Sequence, residues 1–435
     1  MKLLLVTARF PFGGKESFLT EEVAQLARDF DVIVLPATPT DEPLAVPALE
    51  GRAVRMPLLS SKVVRMALAE TIRRPFLVAR TFATVVAMRR TFRAKVRNIA
   101  IFPTALAAAR LVRERGIEHV HGYWLTTPST IAYVVSRLCA IPWSASGHRH
   151  DLVPFSVRNG TVPRPGFFSS AQFIRTISRQ GKDLLRPAFS NGAPPLRVIP
   201  LGVLVPPPCS PPNRNDGVLR LLCAANLEPV KGHDVLLEAL QRAGKRVNVH
   251  CTIAGDGTLR SDLETKAREL GLEGLVTFEG VVPHAQLLGR MSAGEFDAAI
   301  LASLDEGPQR CEGIPVFLME SMARGLPVIA TGSGAVGELV NHSNGILCAP
   351  GDVNALGDAI VRLAEDTAFQ NILGRGGRKT ILEDFDACKT TSQLAEALLE
   401  KRARLGPKTL AGGAVDGRTV VLRGSTERDE AQLQS

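Results

Sequence analysis

The apolar residues of the first two hundred positions fall into two alternating spacings. Residues 2–6, KLLLV, and 31–35, DVIVL, are short unbroken apolar runs, whereas FLTEEVAQLARDF between them repeats its apolar positions at helical spacing. This predicts a strand, a helix and a strand. Strand-like runs recur at EHVHGYW, IPWSASG and QFIRTIS, with a helical STIAYVVSRL between the first two. Such alternation implies a parallel sheet covered by helices. The opening MKLLLVTARF is interrupted too soon by Thr7 and Arg9 to serve as a signal peptide, and reads as a first buried strand.

The stretch 205–217, VPPPCSPPNRNDG, is rich in proline and turn formers and can sustain neither a ladder nor a helix, so it reads as a linker. The alternation then restarts through RLLCA, GHDVLLEALQRA, VNVHCTIAG, a helix over about 258–270, VTFEG, DAAILAS, a helix over about 314–324, PVIAT, GILCA and VNALGDAIVRLAED. The expected organisation is therefore an N-terminal Rossmann-like domain over 1–204 and a second over 218–372. A helical segment over 373–401, able to cross back to the first domain, and a disordered tail over 402–435 follow. Two doubly wound domains joined this way enclose a cleft at the carboxyl ends of their strands, where ligands collect.

Charge adds one local feature. Net charge is +9, and the segment 62–97 alone holds ten basic residues against the single acid Glu70. Met66, Leu68, Ile72, Phe76, Phe82 and Phe92 are interleaved, so the segment is expected to form basic amphipathic helices, facing either an anionic membrane or solvent. No helix-turn-helix, zinc or RNA-binding signature accompanies the charge, which argues against nucleic acid. No window approaches the roughly 18 uncharged apolar residues of a membrane span, so a cytoplasmic protein is expected, peripheral to the inner face of the membrane where those helices face lipid. Seven scattered cysteines without a C-x-x-C pair argue against a disulfide framework or zinc site and fit a reducing compartment.

The strongest chemical signal is EGIPVFLME, which separates Glu312 from Glu320 by eight positions. On a continuous helix that spacing gives about 80° of rotation and about 12 Å of rise, so both carboxylates would lie towards one side. Pro315 suits the first turn of a helix, whose free amides can receive a phosphate.

Together with AGDGTLRSDLETKARELGLEGLVTFEGVV, GLPVIATGSGAVGELV and NGILCAPGDVNALGDAI, this segment resembles the C-terminal domain of family 4 retaining glycosyltransferases, over roughly 218–365. The resemblance implies the GT-B fold: two doubly wound α/β Rossmann-like domains facing across a cleft. It also implies a nucleotide-sugar donor as substrate, and neither a cofactor nor a metal. Glu320 would then bind the donor ribose and Glu312 hydroxyls of the transferred sugar. Gly313, Ile314, Pro315 and Val316 would present helix-start groups to the donor, Lys231 of EPVKGHD would neutralise the pyrophosphate, and Gly280 to Val282 would meet the base. Relatives usually carry Arg where this chain has Asn226, a departure that leaves one expected cation unplaced; Arg310 and Lys15 are candidate substitutes.

In the first domain, TARFPFGGKESFLTEEV resembles the opening loop of the exopolysaccharide, colanic-acid-type subgroup. Gly13 and Gly14 would admit donor backbone contacts and Glu16 would lie near sugar or acceptor. His148 and Asp151 of GHRHDLV match that subgroup's strand-end His and Asp, with His148 against the donor sugar. The implied reaction is transfer to a polysaccharide or lipid-linked oligosaccharide acceptor, with front-face attack and the departing phosphate oxygen taking the acceptor proton. A GT-B protein without catalysis and a GT-B nucleotide-sugar epimerase are the alternatives.

Two patterns read as decoys. GSGAVG, 332–337, fits a dinucleotide fingerprint but precedes only a short helix and sits late in its domain. DFD at 29–31 and 384–386 imitates a metal-binding pair but ends no cleft strand.

Overall fold

Strand β1 (Lys2–Thr7) is entirely apolar from Leu3 to Val6 and lies inside a six-stranded parallel sheet, ordered β2-β1-β3-β4-β5-β6. Its companions are β2 (Asp31–Pro36), β3 (His119–Gly122), β4 (Trp143–Gly147), β5 (Ile174–Thr176) and β6 (Leu196–Val198). The covering helices are α1 (Thr20–Asp29), α2 (Ser61–Arg73), α3 (Pro75–Ala87), α4 (Phe92–Arg115), α5 (Thr127–Cys139), α6 (Arg149–Leu152) and α7 (Arg179–Leu185). The computed structural model describes residues 1–400 apart from 13, 41–45, 59, 89–90, 153–161, 190–193, 208–215 and 308–309. Gly13, most of the Pro-rich stretch and the tail over 402–435 thus lie outside the described residues.

The second sheet repeats the plan in the order β12-β11-β10-β7-β8-β9, again all parallel. It comprises β7 (Leu219–Ala224), β8 (Val249–Ala254), β9 (Val276–Gly280), β10 (Ala298–Leu301), β11 (Val328–Thr331) and β12 (Ile346–Cys348). Its helices are α8 (His233–Gly244), α9 (Arg260–Glu269), α10 (His284–Ser292), α11 (Val316–Ala323), α12 (Val353–Glu365) and α13 (Thr367–Thr380). Central strands buried on both faces require continuous apolar sequence, which explains the unbroken runs of β1, β10 and β11.

After a π-helical turn at Ile381–Phe385 the last helix, α14 (Ala387–Leu399), returns to the first domain and packs on α1. Leu394 and Leu398 join Val23 and Leu26 in one core. Where the chain crosses between domains, Val203 and Asp386 form an isolated parallel bridge, with Val203 N donating to Phe385 O and Ala387 N to Val203 O. A Cβ at Gly202 would stand 2.5 Å from the Ala387 Cα, so only glycine admits the two strands side by side.

A buried ion pair fixes this crossing to the first sheet. Arg175 of β5 donates to both oxygens of Glu22 of α1 at 2.6 Å and to the Ile199 and Pro200 carbonyls at 2.7 Å. Tyr123 adds a bond to Glu22 at 2.7 Å, so the buried charges are matched by hydrogen bonds on every side.

Candidate active site

The donor-side loops are shaped by three glycines. After β7 the chain passes exposed Asn226 and makes a short turn, Pro229–Lys231, ended by Gly232 at φ 61°. A Cβ on Gly232 would meet the Ala302 carbonyl oxygen at 2.1 Å. Lys231 is thereby pressed against the loop that follows β10, where Leu304 N donates to Val230 O.

On that loop Lys231 Nζ donates to Glu312 Oε2 at 2.5 Å, and Ser303 Oγ donates to the same oxygen at 3.0 Å. Glu312 N donates to Ser333 Oγ, while Gly334, at φ 55°, passes so close that a Cβ would lie 2.0 Å from Glu312 O. The glycine-rich GSGAVG therefore packs against the main chain of Glu312. Burial pushes the Glu312 carboxyl up, but Lys231, with Ser303 and Arg149, outweighs this and holds it below the usual carboxylate range. An ionised Glu312 can only accept hydrogen bonds, which suits hydroxyl groups of a ligand and excludes a general acid.

Glu312 is not on the following helix, contrary to the expectation from spacing. Helix α11 begins at Val316 with Pro315 in the N-cap position, in extended conformation, and no side chain caps its first turn. Proline at that position ends the loop because the residue before it, Ile314, is steered away from helical geometry. Glu312 is placed instead by a loop that folds back onto Ser303 and Ser333. Glu320, near the end of α11, accepts from His284 Nε2 at 2.7 Å and is only 9% exposed. That bond holds the His284 imidazole above its ordinary value of 6.5, against the opposing effect of burial. Glu21 of α1 is held up chiefly by burial, and His284 and Glu320 both act on it, which places α1 opposite this end of the cleft.

Gly280 ends β9 at φ 74°, where a Cβ would touch the Arg260 guanidinium at 2.9 Å. Val282 packs on the cluster containing Leu222 and Leu287.

On the first domain, His148 follows β4 and is nearly buried, its ring 4.6 Å from Trp124 and 5.5 Å from Phe18. Asp151 reaches back to accept from His148 N at 2.7 Å, one half of a capping box, and from Leu125 N. Its carboxyl is 2% exposed and burial pushes its pKa up to about 7. Glu16 is likewise turned inward: its carboxylate accepts from Ala8 N, Arg9 N, Phe10 N and Trp124 Nε1. Asp151 and Glu16 thus shape the loops that present His148. Gly14 opens the turn Gly14–Leu19 that carries Glu16.

Two contributors across the cleft have no sequence signature. Arg149 leans on Gly313, where a Cβ would lie 3.6 Å from its own, and lowers the Glu312 pKa. Glu338 accepts from Arg179 N and Gln180 N at 2.7 Å each, so a carboxylate of the second domain caps α7 of the first. Arg310, a candidate for the cation absent at Asn226, pairs instead with Glu306 at 2.7 Å and is exposed. No group of three or more His, Cys, Asp or Glu side chains is placed to hold a metal among the described residues.

The fold that these two parallel sheets define is GT-B. The solved structure of Alr3699/HepE from Anabaena, in complex with UDP and glucose, superposes with a TM-score of 0.67 at 19% identity, covering 92% of this chain and 99% of that one. Sucrose-phosphate synthase from Thermosynechococcus elongatus gives 0.65 at 18% identity over 91% and 98%.

Residues 210–380, the domain that carries Lys231, Glu312 and Glu320, match the family Glycosyl transferases group 1. The amylovoran biosynthesis glycosyltransferase AmsK of Erwinia amylovora is 33% identical over 182 residues, 41% of this chain and 44% of that protein. The GDP-mannose-dependent monoacylated alpha-(1-6)-phosphatidylinositol monomannoside mannosyltransferase of Corynebacterium glutamicum is 27% identical over 63% of this chain and 74% of its own length. Among the described residues no helix is long and apolar enough to cross a membrane.

Proposed function

We propose that the protein is a retaining glycosyltransferase of family 4 type that moves a sugar from a nucleoside-diphosphate donor to a polysaccharide or lipid-linked oligosaccharide in cell-surface polysaccharide assembly. The observation that carries this reading is the Lys231–Glu312 pair beside the uncapped start of α11. A cation, unsatisfied helix amides and an acceptor-only carboxylate converge where a diphosphate and an adjoining sugar would lie.

In this reading Lys231 and the first amides of α11 stabilise the diphosphate as the anomeric C–O bond breaks, which is where negative charge develops. Arg149 adds charge from the opposite domain and offsets the cation missing at Asn226. Glu312 orients sugar hydroxyls through Oε1, its other oxygen being occupied by Lys231 and Ser303. Glu320 takes the ribose hydroxyls once His284 yields its bond. Gly14, Gly280 and Val282 belong to the donor surface, and His148 faces the transferred sugar. The acceptor proton passes to the departing phosphate oxygen, so no separate base is assigned, and neither a metal nor a cofactor is needed.

The name of the Erwinia relative supports a polysaccharide role, and that of the Corynebacterium relative supports an acceptor held at a membrane. The latter agrees with the α2–α4 surface, where Ile72, Phe76 and Phe92 are 72%, 90% and 80% exposed among the arginines of 62–97. We assign this face to peripheral contact with an anionic membrane.

The test is a donor screen with membrane extract as acceptor source, run with the chain and with its Lys231→Ala variant. Transfer with retained anomeric configuration by the first, and loss in the second, is the expected result. Release of an epimerised nucleotide sugar without acceptor would replace the reading.

A further inference from the structure

A second charged recess lies away from the donor cleft, on the first domain. Helices α3 and α5 and the turn Pro165–Ser170 enclose a cavity of about 210 Å³ lined by Arg80, Thr84, Tyr133, Arg137, Ser169 and Ser170. The two helices contribute alike. On α3, Arg80 and Thr84 are four residues apart, and on α5 so are Tyr133 and Arg137, so each pair shares one helix face. Arg137 is in the last turn of α5, the end remote from the cleft, since α5 starts where β3 delivers the chain to the cleft edge.

The lining carries two positive charges and no carboxylate. Among the described residues neither Arg80 nor Arg137 has an ion-pair partner, whereas Arg113 of the neighbouring α4 pairs with Glu70 of α2. Two like charges gathered around one recess favour an anion between them, which both can bond at once. Ser170 Oγ accepts from Trp143 Nε1 at 3.1 Å, which leaves its own proton to donate. The Tyr133 hydroxyl, on a ring wedged between Trp143 and Phe167, is a further donor. Guanidinium forks with fixed hydroxyl donors match a tetrahedral oxyanion better than a planar or neutral ligand.

We propose that this recess is a phosphate-binding site of the first domain, distinct from the donor cleft. The group arrives either on a soluble phosphate or on a lipid headgroup. Phe76, 90% exposed, lies one turn before Arg80 on the same face of α3, apolar surface on the side from which an acyl chain would follow its phosphate.

The experiment titrates inorganic phosphate into the full chain carrying Lys231→Ala, so that binding in the donor cleft is removed and failure of one reading is distinguishable from failure of the other. Saturable binding is expected, weakened about tenfold or more by adding Arg80→Ala and Arg137→Ala, the loss expected when a charge-assisted hydrogen bond disappears. Both arginines are exposed, and unchanged melting temperature verifies folding. Absent binding, or equal affinity with and without the two arginines, overturns the site. Vesicles containing phosphatidic acid identify the source. If Arg80→Ala with Arg137→Ala, which leaves Phe76 in place, lowers flotation of these vesicles severalfold, the phosphate is lipid-borne; if the pair weakens inorganic phosphate binding and leaves flotation unchanged, it is soluble.

Discussion

Gly334 and Glu312, twenty-two positions apart in sequence, touch through their main chains: a Cβ on the glycine would stand 2.0 Å from the glutamate's carbonyl oxygen. With φ at 55°, the position is closed to other residues on conformational grounds as well. Gly334→Ala is expected to cost about 2 kcal/mol or more from the left-handed backbone alone, with the collision added. Because the displaced loop carries Glu312, transfer activity should fall further than stability does. Denaturant unfolding and turnover measured on one preparation check this, and a fully active Gly334→Ala would refute the account.

Lys231→Ala leaves an ionised carboxylate nearly buried without its partner. Removing one member of a buried pair costs about 3–5 kcal/mol, and partial exposure of Lys231 reduces this to about 2 kcal/mol. Adding Glu312→Gln should restore most of the stability and none of the activity. The sign with pH follows from the lowered Glu312 pKa: its contribution is present above the carboxylate's unfolded value and disappears as pH falls through the folded one. Calorimetric unfolding of the two single variants and the double variant decides the matter.

Glu320→Gln should weaken nucleotide binding and return the His284 titration downward towards 6.5, since the Glu320 bond is what raises it. In the intact protein this pair stabilises the fold below the unfolded histidine pKa, and the contribution is lost as pH rises through the folded one. Imidazole proton shifts in NMR, followed with and without nucleotide, report both effects.

Asp151 titrates at about 7 in the fold against 3.8 ordinarily, because burial disfavours its charge. The folded chain therefore holds a proton that the unfolded chain releases, and stability falls as pH rises between about 4 and about 7. Asp151→Asn should flatten that slope, as seen by urea unfolding across the interval.

Flotation with anionic vesicles should decline as salt rises, because surface attraction is screened within about 8 Å at physiological ionic strength. Binding indifferent to salt would leave only the apolar side chains of α2–α4 to account for it.

How much of this was legible beforehand varies by the range of the interaction. The apolar runs marked the two sheets because strands buried on both faces tolerate no polar alternation, and helix α11 falls within the stretch that its spacing predicted. The placement of Glu312 was misread since a spacing of eight says nothing about where a helix starts, and Pro315 put the boundary between the two glutamates. Arg149 and Glu338 gave no signal, because their partners lie in the other domain. Glu22 did give one. It falls among Leu19, Val23 and Leu26 on the apolar stripe of α1, where an acid is tolerable only with a buried partner, although nothing local points to Arg175.

The return of α14 to α1 gives the two lobes a pair of adjacent straps, at Gly202–Val203 and at Asp386–Ala387. A door hung on two neighbouring hinges swings about the line through them and resists twisting or sliding. Two straps this close leave rotation about their common line as the freest movement between the lobes, whose facing rims are Arg149 with Gly313 and Glu338 with α7.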